Sequence, residues 1–167
     1  MYLYYLLIII INFFSSTKIN LHVRAGHILP WQKPESNTHY SRLNPLGLIV
    51  ALNDEGVAHG SLFWDDGEGI NTVQNGRYLL TTFSVFDRIL TSEVSVNGLA
   101  EADRLTLGVV RVWGVTEEFS QVTMKVAGKP DAILKHIYNP EIQELEFDAT
   151  PQSHTIETSF TITWTKA

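Results

Sequence analysis

Asp65, Asp66 and Glu68 crowd the end of an apolar run, Gly60-Ser61-Leu62-Phe63-Trp64-Asp65-Asp66-Gly67-Glu68. Carboxylates this close could divide a displacement at a glycosidic acetal, one as nucleophile and one as acid/base, if held ~5–5.5 Å apart. A calcium ion is the other chemistry they suggest, but the spacing is not that of an EF-hand and one turn supplies few ligands. Against both stands a purely structural reading. Asp side chains bond neighbouring backbone amides, and Gly67 supplies a positive φ without a Cβ clash. We read the acids as a turn, and assign no catalytic, cofactor-binding or metal-binding residue from the sequence.

Other chemistries find no footing. The six histidines, His22, His27, His39, His59, His136 and His154, form neither H-x-H nor H-E-x-x-H. With no cysteine there is no thiol nucleophile, disulfide or thiolate zinc site. No G-x-S-x-G elbow occurs, and the glycines sit singly at turns rather than in a phosphate cradle. A net charge of −6 offers no basic face for nucleic acid. Trp31, Trp64, Trp113 and Trp164 could each stack on a pyranose ring. Trp64, Trp113 and Trp164 lie in strand patterns and read as core, whereas Trp31 follows a proline in a loop.

The elements that would position these groups are strands. At 167 residues and 44% hydrophobic, the chain suits one domain with a real core, or a domain plus a remnant. Residues 19–24 alternate apolar and polar, Ala25-Gly26 breaks them, and 27–31 form a short second piece. Residues 32–45, with Pro34, Asn37, Asn44 and Pro45, read as a linking loop. Strands follow over 46–52 and 57–64, joined by Asn53-Asp54-Glu55-Gly56. Asn75-Gly76 predicts a hairpin between 71–74 and 77–84, and Val94 and Val96 meet a second Asn97-Gly98. Residues 105–113 form a long strand with a bulge or close approach at Gly108. Val122, Met124 and Val126 alternate with polar neighbours, as do Leu145 and Phe147, then Phe160, Ile162 and Trp164. Only 100–104 suggest a helical turn. The expected fold is all-β, an antiparallel β-sandwich.

Residues 1–18 differ in character. The run MYLYYLLIIIINFF is short for a membrane span, which takes ~20 residues. It fits a signal peptide in length but lacks a cationic start and an A-x-A site. The residue types of this segment, Tyr, Leu, Ile, Asn, Phe and Lys, all have A/T-rich codons, which also fits a start that is not natural coding sequence.

Over residues 19–165 the chain resembles the C-terminal region of the glycoside hydrolase family 31 α-glucosidases, in the branch of maltase-glucoamylase and sucrase-isomaltase. The motifs that carry this are R-A-G-H-I-L-P-W, L-I-V-A-L, G-S-L-F-W-D-D-G-E and V-R-V-W-G-V, in that order. Gly69 departs from the family, which commonly has Ser there. The resemblance implies that residues 19–45 are the remnant of a proximal sheet and linker, and 46–167 a distal β-sandwich. It implies a catalytic (β/α)8 barrel as partner, too large for this chain to hold. The family's two catalytic aspartates come from that barrel, and its W-x-D-M-N-E-like motif is absent here. A secretory-pathway location is implied for the parent. The expected role is non-catalytic bracing of the barrel. The alternatives are a free-standing sugar-binding sandwich with α-glucan as partner, or a truncated gene product.

Overall fold

The computed structural model describes residues 22–100 and 105–166; the leader, residues 19–21 of the expected strand over 19–24 and residues 101–104 of the expected turn over 100–104 lie outside them, and the described residues 22–24 are not in a strand. Ten strands follow in order: β1 (His27–Gln32), β2 (Leu46–Ala51), β3 (Ala58–Trp64), β4 (Leu79–Phe86), β5 (Ile89–Asn97), β6 (Leu107–Trp113), β7 (Phe119–Val126), β8 (Ala132–Asn139), β9 (Glu144–Asp148) and β10 (Phe160–Lys166). One short helix, α1 (Thr38–Ser41), and a 3₁₀ turn (Thr150–Gln152) complete the described elements outside the loops. The all-β expectation holds.

The alternation of side chains builds the interior. Leu46, Leu48 and Val50 of β2, Val110 and Val112 of β6, and Phe160, Ile162 and Trp164 of β10 point inward and are buried. The period of two sets this, because successive side chains leave a strand on opposite faces. Trp164 is 1% exposed and its ring centroid lies 6.2 Å from that of Phe147.

The strands form a closed ring, β1-β2-β6-β9-β8-β7-β10-β5-β4-β3, rather than the two separate antiparallel sheets expected of a sandwich. Two of its seams are parallel, β2 with β6 and β1 with β3. Closure comes from β1. It pairs antiparallel with β2 along its whole length, from His27↔Ala51 to Gln32↔Leu46. On its other side His27 meets His59, and the His59 N–H donates to the Gly26 carbonyl at 3.0 Å. Gly60 makes this seam possible, since a Cβ there would lie 2.1 Å from the Ile28 carbonyl oxygen. Residues 27–31, expected in the remnant of a neighbouring sheet, are thus hydrogen-bonded into the same ring, with Ile28 in its core.

Other expectations are corrected by packing. Residues 71–74 are not a strand, and Asn75-Gly76 does not turn a hairpin. Residues 65–78 form one long loop between β3 and β4, wound by backbone bonds from Asn75 to Asn71, Gly76 to Val73 and Arg77 to Thr72. Asn97-Gly98 ends β5 against that loop: the Gly98 N–H donates to Tyr78, and a Cβ at Gly98 would sit 1.8 Å from the Gly76 carbonyl oxygen. The tight β4–β5 hairpin uses Asp87-Arg88 instead, both with positive φ as a type I′ turn requires. Gly108 does mark an irregularity. The β2–β6 register shifts between Leu46 and Leu48, and the Gly108 carbonyl accepts from the Ala149 N–H. β8 escapes the sequence pattern because Ile133 and Ile137 face solvent at 69% and 70% exposure, with Lys135 between them.

Candidate functional site: the acidic turn after β3

β3 delivers the acids. Leu62 points inward, whereas Phe63 is 48% exposed on the outer face and stacks on Tyr78 at 5.2 Å. Trp64 packs partly against the core and lies under the Arg42 guanidinium, 3.8 Å from its ring centroid. At a partly exposed site such a cation–π contact contributes ~0.5–1 kcal/mol. Arg42 follows α1, whose start is capped by the Asn37 side chain accepting from the Tyr40 N–H at 3.0 Å.

Each aspartate is committed to the turn. Asp65 accepts from the Gly67 N–H at 2.9 Å and from the Thr72 hydroxyl at 3.0 Å, while Arg42 donates to its backbone carbonyl. Asp66 Oδ1 accepts from the N–H groups of Glu68 at 3.1 Å and Gly69 at 2.6 Å. Its Oδ2 pairs with Arg77 at 2.7 Å. Gly67 has φ +75°, and Gly69 sits so close to the Asp66 carboxylate that a Cβ would lie 2.8 Å from Oδ2.

This electrostatic setting suits a permanent carboxylate. The Gly69 and Glu68 amides, then Arg77 and Arg42, hold Asp66 below its ordinary value of 3.8. A general acid needs the opposite shift. The same donors engage both oxygens of each carboxylate and so compete with a nucleophilic or metal-binding role. Among the described residues no group of three or more His, Asp or Glu side chains is placed to hold a metal ion. Arg42 and Arg77, which complete the turn, went unnoticed in the sequence. Lying outside the D-D-G-E run, they carry no local signal.

The tryptophans separate into three environments. Trp164 is core, as expected. Trp113 lies on the outer face of β6, half-buried, and its Nε1 donates to Glu144 at 2.5 Å. Its place in a strand pattern suggested core, but the register turns it outward with Arg111 and Glu146, which pair at 2.8 Å. Trp31 covers Gly47, where a Cβ would fall 2.3 Å from its Nε1, and the Arg111 guanidinium lies 5.2 Å from its ring centroid.

No protein-family model matches the chain. It is 41% identical over 147 residues to probable maltase-glucoamylase 2 of Homo sapiens, covering 87% of this chain and 6% of that protein. It is 39% identical over 153 residues to intestinal sucrase-isomaltase of Homo sapiens, covering 90% and 8%. Lysosomal alpha-glucosidase of Rattus norvegicus is 36% identical over 146 residues, covering 87% and 14%. The chain therefore spans a small part of the curated relatives it matches. Among solved structures, the catalytic subunit in the ER glucosidase II heterodimer superposes with a TM-score of 0.76 at 22% identity, over 88% of this chain and 17% of that one. That likeness shows the shared fold. With the ordered motifs and this run of relatives, the chain belongs to glycoside hydrolase family 31, as a β-domain corresponding to a small part of such an enzyme.

Proposed function

We propose that the chain acts as a non-catalytic C-terminal β-domain of a retaining α-glucosidase, bracing a (β/α)8 catalytic barrel that lies outside this sequence. The observation that carries this reading is the commitment of Asp65 and Asp66 to five hydrogen bonds within their own turn. Carboxylates so engaged do not form the free pair that a double displacement needs. We further propose that the bracing unit includes β1, because its six pairs with β2 continue the sheet across the boundary drawn at residue 46.

Two measurements test the proposal. Purified chain incubated with a chromogenic α-glucoside should release no product above buffer. Turnover that vanishes in Asp65→Asn, with the circular dichroism unchanged, would place a reaction centre at the turn. In the second, the chain should co-purify with a family 31 polypeptide truncated before this region. Failure to associate would sink the bracing role.

A second reading, a carbohydrate-binding surface for α-glucan, is favoured by one observation: Trp31 and Trp113 lie half-buried on an outer face beside Arg111, Glu144 and Glu146. Aromatic rings flanked by charged donors and acceptors suit a sugar's apolar face and hydroxyl rim. Affinity electrophoresis in α-glucan gels discriminates the two. Retardation that is lost in Trp113→Ala would support binding, and wild-type mobility equal to that in plain gels would exclude it.

A further inference from the structure

We propose that His154 is a proton-operated latch: neutral, it pins residues 153–159 against the start of β6, and protonated, it lets them go. This segment joins the 3₁₀ turn to β10. It is held to β6 by backbone bonds from the Leu107 N–H to the His154 carbonyl at 2.8 Å and from the Ile156 N–H to Leu105 at 2.9 Å, with a Thr106↔Thr155 bridge between.

The ring is built to be neutral. His154 is 2% exposed, lying edge-on to Phe160 with centroids 5.3 Å apart. Its Nε2 is 2.9 Å from the Thr158 carbonyl oxygen, which can only accept, so Nε2 carries the proton. Nδ1 is then a bare acceptor, and it is buried without a hydrogen-bond partner. Beside the ring is a cavity of about 40 Å³ lined by Met124, Val126, Lys129, Pro130, Ala132 and Gln152. That volume is large enough for one water.

A second proton would place an N–H at Nδ1 and a charge in this enclosure. β7 presents Met124 and Val126, β8 presents Ala132, β10 presents Phe160 and the 3₁₀ turn presents Gln152, none of which is charged. The β7–β8 turn presents Lys129, a cation. The nearby carboxylates are engaged elsewhere, Asp131 with Lys125 at 3.1 Å and Glu157 with the Thr155 hydroxyl at 3.3 Å. Burial, and to a lesser degree Lys129, push His154 below its ordinary 6.5, opposed by the bond to Thr158.

The sign follows from linkage. The folded-state value lies below the unfolded one, so release of the segment takes up a proton. Stability from this group is complete above pH 6.5 and is lost as pH falls from 6.5 towards the folded value. Within that window the opening constant rises by up to about tenfold per pH unit.

The test uses the full chain. Urea unfolding and amide exchange at Leu107 and Ile156 are followed as pH falls from neutral, in wild type, His154→Gln and His136→Gln. Gln keeps a donor for Thr158 but does not titrate, and His136 is a part-buried histidine bonded to a different carbonyl, Phe119, at 3.1 Å. The expected result is an extra pH slope in wild type and His136→Gln that His154→Gln lacks. An equal slope in His154→Gln overturns the latch. If that variant does not fold, the ring titration of His154 by NMR in wild type decides: a midpoint below 6.5 supports the proposal, and one at or above 6.5 refutes it.

Discussion

Truncating Ile28 to alanine tests whether β1 is part of the folding unit or an appendage of something outside it. Ile28 is 2% exposed, flanked by β2 on one side and by Gly60 of β3 on the other. Ile→Ala at a fully buried site costs ~2–5 kcal/mol, from lost transfer free energy plus the cavity left behind. The Ile28 backbone is clamped between two strands and the ring cannot collapse easily around it, so we expect about 3 kcal/mol. That is a roughly hundredfold change in the unfolding constant, and a fall in Tm of roughly 6–12 °C for a domain of this size. Leu29→Ala is the matched control. It removes a side chain of the same volume from the same strand, but Leu29 points outward and is 43% exposed, so the cost should stay below about 1 kcal/mol. Urea and thermal unfolding of both variants measure the difference. If both unfold within about 0.5 kcal/mol of wild type, β1 is not in the cooperative unit and the ring does not close in solution. If both are equally destabilised, facing within β1 is misassigned.

Two further outcomes follow from the turn and its neighbour. Asp66→Asn should lower Tm at neutral pH. The gap should close as pH falls below 3.8 through the lower folded-state value, because the carboxylate stabilises the fold only while ionised; a gap that persists in acid would mean the side chain acts by shape. Gly98→Ala should cost about 1–3 kcal/mol in urea unfolding, the range of an overpacked contact, because its Cβ meets the Gly76 backbone rather than a movable side chain. An unchanged midpoint would show that the two loops do not touch.

Much of this protein is legible along the chain. Alternation in residues 122–126, 144–147 and 160–164 names strands and their buried faces, since side-chain direction is set by the pleat alone. The acidic turn is equally local: Asp65 and Asp66 reach amides two and three residues ahead. The motif order reveals the family. What the chain order does not contain is which strands meet. Closure of the ring through β1, the parallel seam of β2 with β6, and the seating of Gly98 on Gly76 are non-local contacts whose partners are far apart in sequence. Arg42 illustrates the same division, for it covers Trp64 and donates to the Asp65 carbonyl only once its own loop lies beside the acidic turn. His154 does so again. Nothing near it in sequence marks it as buried; its isolation arises because β7, β8 and β10 fold over it. Local geometry follows from the order of residues, whereas burial and charge environment depend on which distant segments exclude water together.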